Sequence, residues 1–131
     1  MSEAKSFSID ATIESFVYEK ASDSWRISFS RSIVVSVDSV WRLLMNQKTL
    51  AVSTNHDQWF GLTSPLNLTQ EVINRLKSER LKRIEIMRET GDLHLTFTGD
   101  YVMEVLITSV NYECYELLIN GERHIATGGG V

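Results

Sequence analysis

The chain has 131 residues, of which 43% are hydrophobic and 23% are charged, a composition typical of one soluble globular domain spanning 1–131. Its one cysteine, Cys114, excludes an intramolecular disulfide and favours a reducing compartment, so we expect a cytoplasmic protein. No apolar run approaches the ~18 residues of a membrane span, and the first residues lack a signal-peptide pattern, so we expect no membrane partner. The formal net charge of −4 argues against nucleic acid as the main partner.

The first half of the chain alternates apolar and polar residues over several short stretches, a pattern typical of half-buried strands. Residues 1–6 are polar, and we expect no regular structure there. The alternation from Trp25 to Val37 predicts a hairpin, because every second side chain then faces the same side of a sheet. The predicted strands of this half are Ala11–Tyr18, Trp25–Ser30, Ile33–Val37 and Leu50–Ser53, and Val40–Leu44 is either another strand or a short helical turn.

One helix is predicted in the middle of the chain. Pro65 interrupts regular structure, and Asn67 is a favourable N-cap with Gln70 at the capping-box position. Apolar residues then recur at helical spacing, which predicts a helix over about Leu68–Arg80. The loop His56–Leu62, which precedes this helix, brings two aromatic residues back toward the core.

The second half of the chain again reads as strands, and Gly91–Leu106 holds its clearest hairpin. Gly99 is free to adopt the positive φ that a tight turn requires. Asn120-Gly121 is a strong signal for a two-residue hairpin turn of type I′. The predicted strands of this half are Arg83–Met87, Leu93–Thr98, Tyr101–Thr108, Cys114–Ile119 and Arg123–Ala126.

The two hairpins resemble each other. A shift of 68 residues places Trp25–Val37 on Leu93–Val105 with apolar and polar positions in the same order. We therefore predict two pseudo-repeated halves, 11–62 and 81–127, joined by the helix at about 68–80. The predicted fold class is α+β, mostly antiparallel β with about ten short strands and one principal connecting helix. A curved sheet, a pair of packed sheets and a half-open barrel all remain open.

The best candidate pair for acid–base chemistry is His56-Asp57, which lies in a loop beside aromatic residues. Adjacent residues of a strand point apart, and no serine or cysteine nucleophile accompanies the pair, so we assign no catalytic residue. A turn capped by Asp57 beside a packed or solvated His56 explains the pair more simply. The candidate binding residues of this loop, its aromatic neighbours and one acidic outer position are Trp41, His56, Asp57, Trp59, Phe60 and Glu113.

Metal and cofactor signatures are weak. His56, His94 and His124 are widely spaced and share no ligand motif, so we expect no metal and no cofactor. The triple glycine Gly128–Gly130 would suit a phosphate loop only if a helix followed it, and a flexible or closely packed tail is the simpler interpretation. The basic residues between Arg75 and Arg83 complement the C-terminal end of the predicted helix dipole.

Several stretches resemble a group of small bacterial proteins of unknown function. They are the strand Gly91–Phe97 with its glycine, acidic residue and leucine, the strand Tyr112–Leu117, and the triple glycine Gly128–Gly130. The loop His56–Leu62 is also similar, whereas Tyr115 stands where the group has tryptophan. The resemblance covers the chain from about Trp41 to the end. Proteins of this size and shape often accompany bacterial toxins as immunity proteins, so the resemblance implies such a role and no catalytic residue.

From these observations we expect a non-enzymatic protein-binding module, either an immunity-type inhibitor or a homodimer formed through open sheet edges. The alternative is a small-molecule-binding protein or a weak hydrolase with a pocket near Trp41, His56 and Asp57. The acidic outer positions that offer plausible contacts to a protein partner are Asp92, Asp100, Glu104, Glu113 and Glu116.

Overall fold

The computed structural model describes residues 5–126, which form eleven strands, a short 3-10 turn and an α-helix. The triple glycine at 128–130 lies outside the described residues. The strands are β1 (Lys5–Ala11), β2 (Ile13–Glu19), β3 (Ser24–Phe29), β4 (Ile33–Val37), β5 (Trp41–Met45), β6 (Lys48–Val52), β7 (Leu81–Ile86), β8 (Leu93–Phe97), β9 (Tyr101–Val105), β10 (Tyr115–Ile119) and β11 (Glu122–Ala126). The helical segments are the 3-10 turn Ser53–Asn55 and the helix α1 (Leu68–Leu76).

The strands form two antiparallel sheets. One sheet has six strands in the order β1-β7-β8-β9-β5-β6, and the other has five in the order β11-β10-β4-β3-β2. These sheets and the one α-helix among the described residues confirm the predicted α+β class with mostly antiparallel β structure. Residues 5–126 form eleven strands rather than about ten, and these strands adopt the arrangement with two sheets.

The two sheets contribute to one hydrophobic core because each presents an apolar face to it. Along β3, Trp25, Ile27 and Phe29 are buried, while the intervening residues are more exposed. Burying a side chain of this size contributes about 1.5–3 kcal/mol. The rings of Phe29 and Phe97, one from each sheet, have their centroids 6.1 Å apart, so they join the two sheets directly.

The helix α1 also belongs to this core. It contacts β2, and its buried side chains are Leu68, Val72 and Leu76. The predicted N-cap is confirmed, since Asn67 Oδ1 accepts a hydrogen bond from the Gln70 N–H at 3.2 Å. α1 has nine residues. Residues 5–126 contain no helix long and apolar enough to cross a membrane.

The predicted C-terminal end of the helix is wrong. α1 ends at Leu76 rather than at Arg80. Arg80 directly precedes β7, and its backbone is hydrogen-bonded to Thr98, the residue that directly follows β8. The Thr98 N–H donates to the Arg80 carbonyl oxygen at 2.9 Å. Pairing with a distant segment therefore overrides the local helical pattern in the last predicted turn.

The N-terminal segment also differs from the prediction. Lys5 already belongs to β1, and the predicted strand Ala11–Tyr18 is divided between β1 and β2 at Thr12. β1 lies at the edge of the six-stranded sheet, where it pairs with β7 from the second half of the chain. Its apolar residues, Phe7 and Ile9, pack against the core, while the residues between them are exposed. A strand with so many polar residues suits a sheet edge.

Each sheet contains strands from both halves of the chain. β2-β3-β4 lies beside β10-β11, and β7-β8-β9 lies beside β5-β6. The register of the β3–β4 pair matches that of the β8–β9 pair when the chain is shifted by the 68 residues that align the two hairpins. Trp25 lies opposite Val37 in β3–β4, and Leu93 lies opposite Val105 in β8–β9.

Irregular features recur at the same places in both sheets. The β2–β3 and β7–β8 pairs each contain a register shift near the start of the first strand. Next to it, the Thr12 N–H donates to Ser30 Oγ at 2.9 Å, and the Arg80 N–H donates to Thr98 Oγ1 at 2.9 Å. Side-chain oxygens 68 residues apart therefore satisfy the backbone donor of the residue just before β2 and of the residue just before β7.

The chain crosses between the sheets twice at the same end of the molecule. These crossings are the β4–β5 connection and the β9–β10 connection, residues 106–114; the chain also passes between the sheets from β1 to β2 at Thr12. The Asp38 N–H donates to the Cys114 carbonyl at 2.9 Å, and the Leu106 N–H donates to the Val40 carbonyl at 2.9 Å. The two connections therefore lie side by side, and we call this end of the molecule the crossover end.

A buried tyrosine joins β10 to the turn that precedes β8. The Tyr115 O–H donates to the Gly91 carbonyl at 2.7 Å, and the side chain is buried. Burial raises the pKa of Tyr115, and the nearby charge of Asp92 raises it further. The phenol therefore stays a neutral hydrogen-bond donor.

Candidate functional site

Four adjoining depressions run across the crossover end. Two of them share Trp25 and Asp38 as lining residues. One of these two also shares Asp38 and Thr108 with a third depression. Thr108 and Asn111 lead from the third into the fourth. The depression between Asp38 and Glu113 has a volume of about 590 Å³. The depression lined by Trp25 and Thr108 has a volume of about 230 Å³. We call the series the crossover groove.

Carboxylates dominate the charge of the crossover groove. Among the described residues that line it, Arg26 is the only cation. The acidic lining residues are Glu19, Asp23, Asp38, Glu89, Asp92 and Glu113. Lys20 and Arg88 lie in neighbouring turns but do not line these depressions. A groove with one predominant sign of charge attracts ligands of the opposite sign, here cations.

Some of these carboxylates have partners within the protein. Asp23 Oδ1 accepts a hydrogen bond from the Tyr18 O–H at 2.7 Å, which raises the pKa of Tyr18. Asp92 Oδ1 accepts from the Ile107 N–H at 2.8 Å and so holds the start of the β9–β10 connection. The carboxylate of exposed Asp38 forms no hydrogen bond or ion pair with residues 5–126, so its charge is available to a ligand.

Two of the predicted acidic contacts, in contrast, form ion pairs across the outer faces of the sheets. Glu104 pairs with Arg42 at 2.6 Å. Glu116 pairs with Arg123 at 2.6 Å, and that hydrogen bond lowers the pKa of the Glu116 carboxyl. The charges of these carboxylates are already paired with arginines on neighbouring strands, so they are weaker candidates for contact with a ligand than the carboxylate of Asp38.

An aromatic stack connects the groove to the loop that follows β6. Trp25 lines the groove, and its ring centroid lies 5.1 Å from that of Trp41 and 5.0 Å from that of His56. The His56 ring also contacts Tyr18 at 4.8 Å. His56 Nδ1 accepts a hydrogen bond from the Leu68 N–H at 3.1 Å, so this histidine holds the first turn of α1.

The geometry of His56 and Asp57 does not suit acid–base catalysis. His56 Nε2 lies 3.7 Å from Asp57 Oδ1, which exceeds hydrogen-bond distance. Because His56 Nδ1 accepts the Leu68 N–H, the neutral imidazole carries its proton on Nε2 and has no free basic nitrogen. Neither residue of the pair lines the four depressions of the crossover groove.

The other sequence-derived candidates have three different environments. Trp41 is fully buried between Phe16 and Trp25 and offers no surface to a ligand. Glu113 lines the crossover groove. Trp59 and Phe60 are 57% and 64% exposed. The structure thus brings Glu113 to the groove, while Trp41 is part of the core. Trp59 and Phe60 lie on the surface, so the predicted return of their loop to the core is wrong.

Trp59 and Phe60 belong to a hairpin-like loop closed by backbone hydrogen bonds. The Leu62 N–H donates to the Trp59 carbonyl at 2.7 Å, and the Leu66 N–H donates to the Gln58 carbonyl at 2.9 Å. Leu62 is also 50% exposed. We call Trp59–Leu62 the aromatic tip. Its exposure is a consequence of a defined turn that presents apolar side chains to solvent.

A second exposed apolar pair lines the groove itself. Val110 is 71% exposed and Tyr112 is 74% exposed, and both lie in the β9–β10 connection. Val110 lines one depression beside Asp92, and Tyr112 lines another beside Glu113. Exposed apolar side chains among charged ones are typical of surfaces that bind proteins.

Sequence reasoning missed Asp38, Val110 and Tyr112 as parts of the site. The available signal was the order of the hairpins, because successive turns of an antiparallel sheet lie at alternate ends. Assigning each loop to an end would have grouped the β4–β5 and β9–β10 connections. Without the sheet order, nothing in the local sequence around Asp38 distinguishes it from an ordinary turn residue.

Within residues 5–126, no three histidine, cysteine, aspartate or glutamate side chains are grouped so that they could hold a metal ion. Comparison of the chain with protein-family models, with curated proteins and with solved structures gave no match.

Proposed function

We propose that the chain is a non-enzymatic binding protein whose crossover groove binds a basic segment of another protein. The observation that carries this proposal is the groove lining, in which six carboxylates face one arginine. The specific role that this chemistry fits is that of an immunity-type inhibitor of a basic toxin. Such an inhibitor would act in the cytoplasm of a bacterium.

The two features of the groove would contribute to binding in different ways. Carboxylates such as Asp38 and Glu113 would steer a basic partner and speed its association, and salt would weaken this effect. The apolar side chains of Val110 and Tyr112 would supply contact area that excludes water, which is where most binding energy arises. A surface with both features favours a polypeptide over a small cation.

The alternative of a weak hydrolase or a small-molecule pocket near Trp41, His56 and Asp57 has less support. Trp41 has no exposed surface, and the Nδ1 atom of His56 is engaged by the helix backbone. The depressions of the crossover groove are open and acidic, which differs from the enclosed, mostly apolar pockets that bind small molecules.

Neutralising the groove tests the proposal. Random linear peptides displayed on phage are selected on the immobilised full-length chain, and the enriched peptides are synthesised. We expect these peptides to be rich in lysine and arginine. The double variant Asp38→Asn/Glu113→Gln should bind them about tenfold more weakly at low salt, because two attractive charges are lost. Titration calorimetry at two salt concentrations measures the change.

The matched control removes the same charge from the other end of the molecule. Asp100 and Glu122 are exposed residues in the β8–β9 turn and at the start of β11, respectively. The double variant Asp100→Asn/Glu122→Gln should keep the affinity of the unmodified chain. Enrichment of acidic or uncharged peptides, or equal losses in the two double variants, would contradict binding at the crossover groove.

The two halves of the chain, 11–62 and 81–127, are proposed to be structural repeats that exchange their last hairpins. The support is the shared strand order, the shared β3–β4 and β8–β9 register, and the matching hydrogen bonds of Thr12 and Arg80. In this arrangement the crossover end is where both exchanging connections meet. The repeat therefore explains why one groove is built from both halves.

A further inference from the structure

The turn at the aromatic tip has an unusual residue in a strained backbone conformation. Nine non-glycine residues of the described chain have positive φ, a region that costs little for asparagine and aspartate but more for bulky residues. Eight of them have polar side chains: Asp23, Arg31, Ser32, Asn46, Gln47, Asp57, Asp100 and Asn120. The ninth is Phe60 with φ 45°.

The chain forms the same kind of turn elsewhere with a favourable residue. Phe60-Gly61 has φ values of 45° and 76°, and Asn120-Gly121 has φ values of 54° and 76°. Positive φ at both central residues is the signature of a type I′ turn, for which Asn-Gly is the preferred pair. The turn between β10 and β11 therefore has the residue that its backbone favours, whereas the aromatic tip does not.

Phe60 gains little within the protein to offset this strain. Its side chain is 64% exposed, and Trp59 beside it is 57% exposed. Apart from the two adjoining residues, no part of the protein lies within 4 Å of the position where a Cβ would stand on Gly61, so the turn is open on that side. A strained residue that is exposed and apolar suggests a role in contact with another molecule.

The geometry points to the aromatic tip as an apolar anchor for the same basic polypeptide that occupies the crossover groove. This inference rests on the proposed function. Ser53 and Thr54 line the groove, and the loop that carries the tip follows them directly. The His56 ring contacts Trp25, which also lines the groove, so the base of the tip and the groove are continuous.

Charge selects this occupant over two others. An anionic lipid surface would be repelled by the carboxylates beside the tip, including exposed Asp57 at its base. A second copy docked through the same end would bring two acidic grooves together, which is unfavourable. The partner that satisfies both surfaces is a segment with aliphatic or aromatic side chains next to its lysines and arginines.

Replacing Phe60 with asparagine separates a structural role from a binding role. Phe60→Asn gives the tip the Asn-Gly pair of the other turn, so we expect a urea midpoint of unfolding equal to or above that of the unmodified chain. The same variant should bind the selected basic peptides at least tenfold more weakly, because an apolar contact is lost. Affinity then falls without any loss of stability.

The matched control is the reciprocal change in the β10–β11 turn. Asn120→Phe should lower the urea midpoint, since it introduces the same strain, and it should leave peptide affinity unchanged. Both variants are made in the full chain. A lower urea midpoint for Phe60→Asn would overturn the argument from strain.

The outcomes also separate this inference from the proposed function. If Phe60→Asn binds the peptides normally while Asp38→Asn/Glu113→Gln does not, the anchor is overturned and the groove proposal stands. If Phe60→Asn alone loses binding, the tip binds and the acidic groove proposal fails. Tip-dependent self-association in sedimentation, or tip-dependent binding to phosphatidylcholine–phosphatidylserine vesicles, would overturn the basic polypeptide as occupant.

Discussion

Replacing either Phe29 or Phe97 with alanine is expected to lower the free energy of unfolding by about 3–5 kcal/mol. The two side chains are 2% and 5% exposed, and their ring centroids are 6.1 Å apart, so each truncation opens a cavity between the sheets. The two losses should be similar because the residues occupy matching positions in β3 and β8. Urea unfolding measures these losses, with the same dependence of the free energy of unfolding on urea concentration in all the variants.

The double variant gives a further test of this pair. Since the rings are in contact, the loss in the Phe29→Ala/Phe97→Ala chain should differ from the sum of the single losses. Val17→Ala is the control, because Val17 is 51% exposed and its truncation should change stability by less than about 0.5 kcal/mol. A near-neutral effect at one phenylalanine alone would break the equivalence and count against the proposed repeat.

Replacing Trp41 with alanine is expected to cost about 3–5 kcal/mol of folding stability. The side chain has 0% exposure and packs on Phe16 and Trp25, with ring centroids at 5.2 and 5.1 Å. Its removal leaves a large cavity at the base of the aromatic stack. Thermal and urea unfolding of the variant measure the loss.

Trp59→Ala is the matched control for Trp41→Ala. Trp59 is 57% exposed, so its truncation should change stability by less than about 0.5 kcal/mol. Acrylamide quenching of the remaining tryptophans should fall in Trp59→Ala, because Trp25 and Trp41 are buried. A small stability loss in Trp41→Ala would mean that the side chain lies outside the core.

Much of the fold was predictable because side-chain alternation and turn chemistry are local signals. β4 occupies Ile33–Val37, as predicted, and β3 is displaced by a single residue. Asn67 caps α1, and Asn120-Gly121 has positive φ at both residues. In each case the deciding interaction lies within a few residues of the signal.

The errors have a common physical cause, which is pairing with remote segments. β1 exists because β7 offers it a partner, and its alternating polar residues carry no local strand signal strong enough to show this. α1 stops at Leu76 because Arg80 is joined to Thr98. Neither pairing is visible without the sheet order.

The candidate site was predictable in part for the same reason. Glu113, Trp59 and Phe60 were singled out from the sequence; Glu113 lines the groove, and Trp59 and Phe60 are exposed. Asp38 was missed because its loop becomes part of the groove only when the β4–β5 and β9–β10 connections meet. Trp41 could not be assigned to the core or to a pocket from periodicity, because both environments favour a large aromatic side chain.

An NMR titration of the isotopically labelled full-length chain with a selected basic peptide locates the bound partner most directly. We predict that amide signals shift around Asp38 and Glu113, and that the indole N–H signal of exposed Trp59 shifts while that of buried Trp41 does not. Shifts confined to the opposite end of the molecule, around Asp100 in the β8–β9 turn, would contradict binding at the crossover groove.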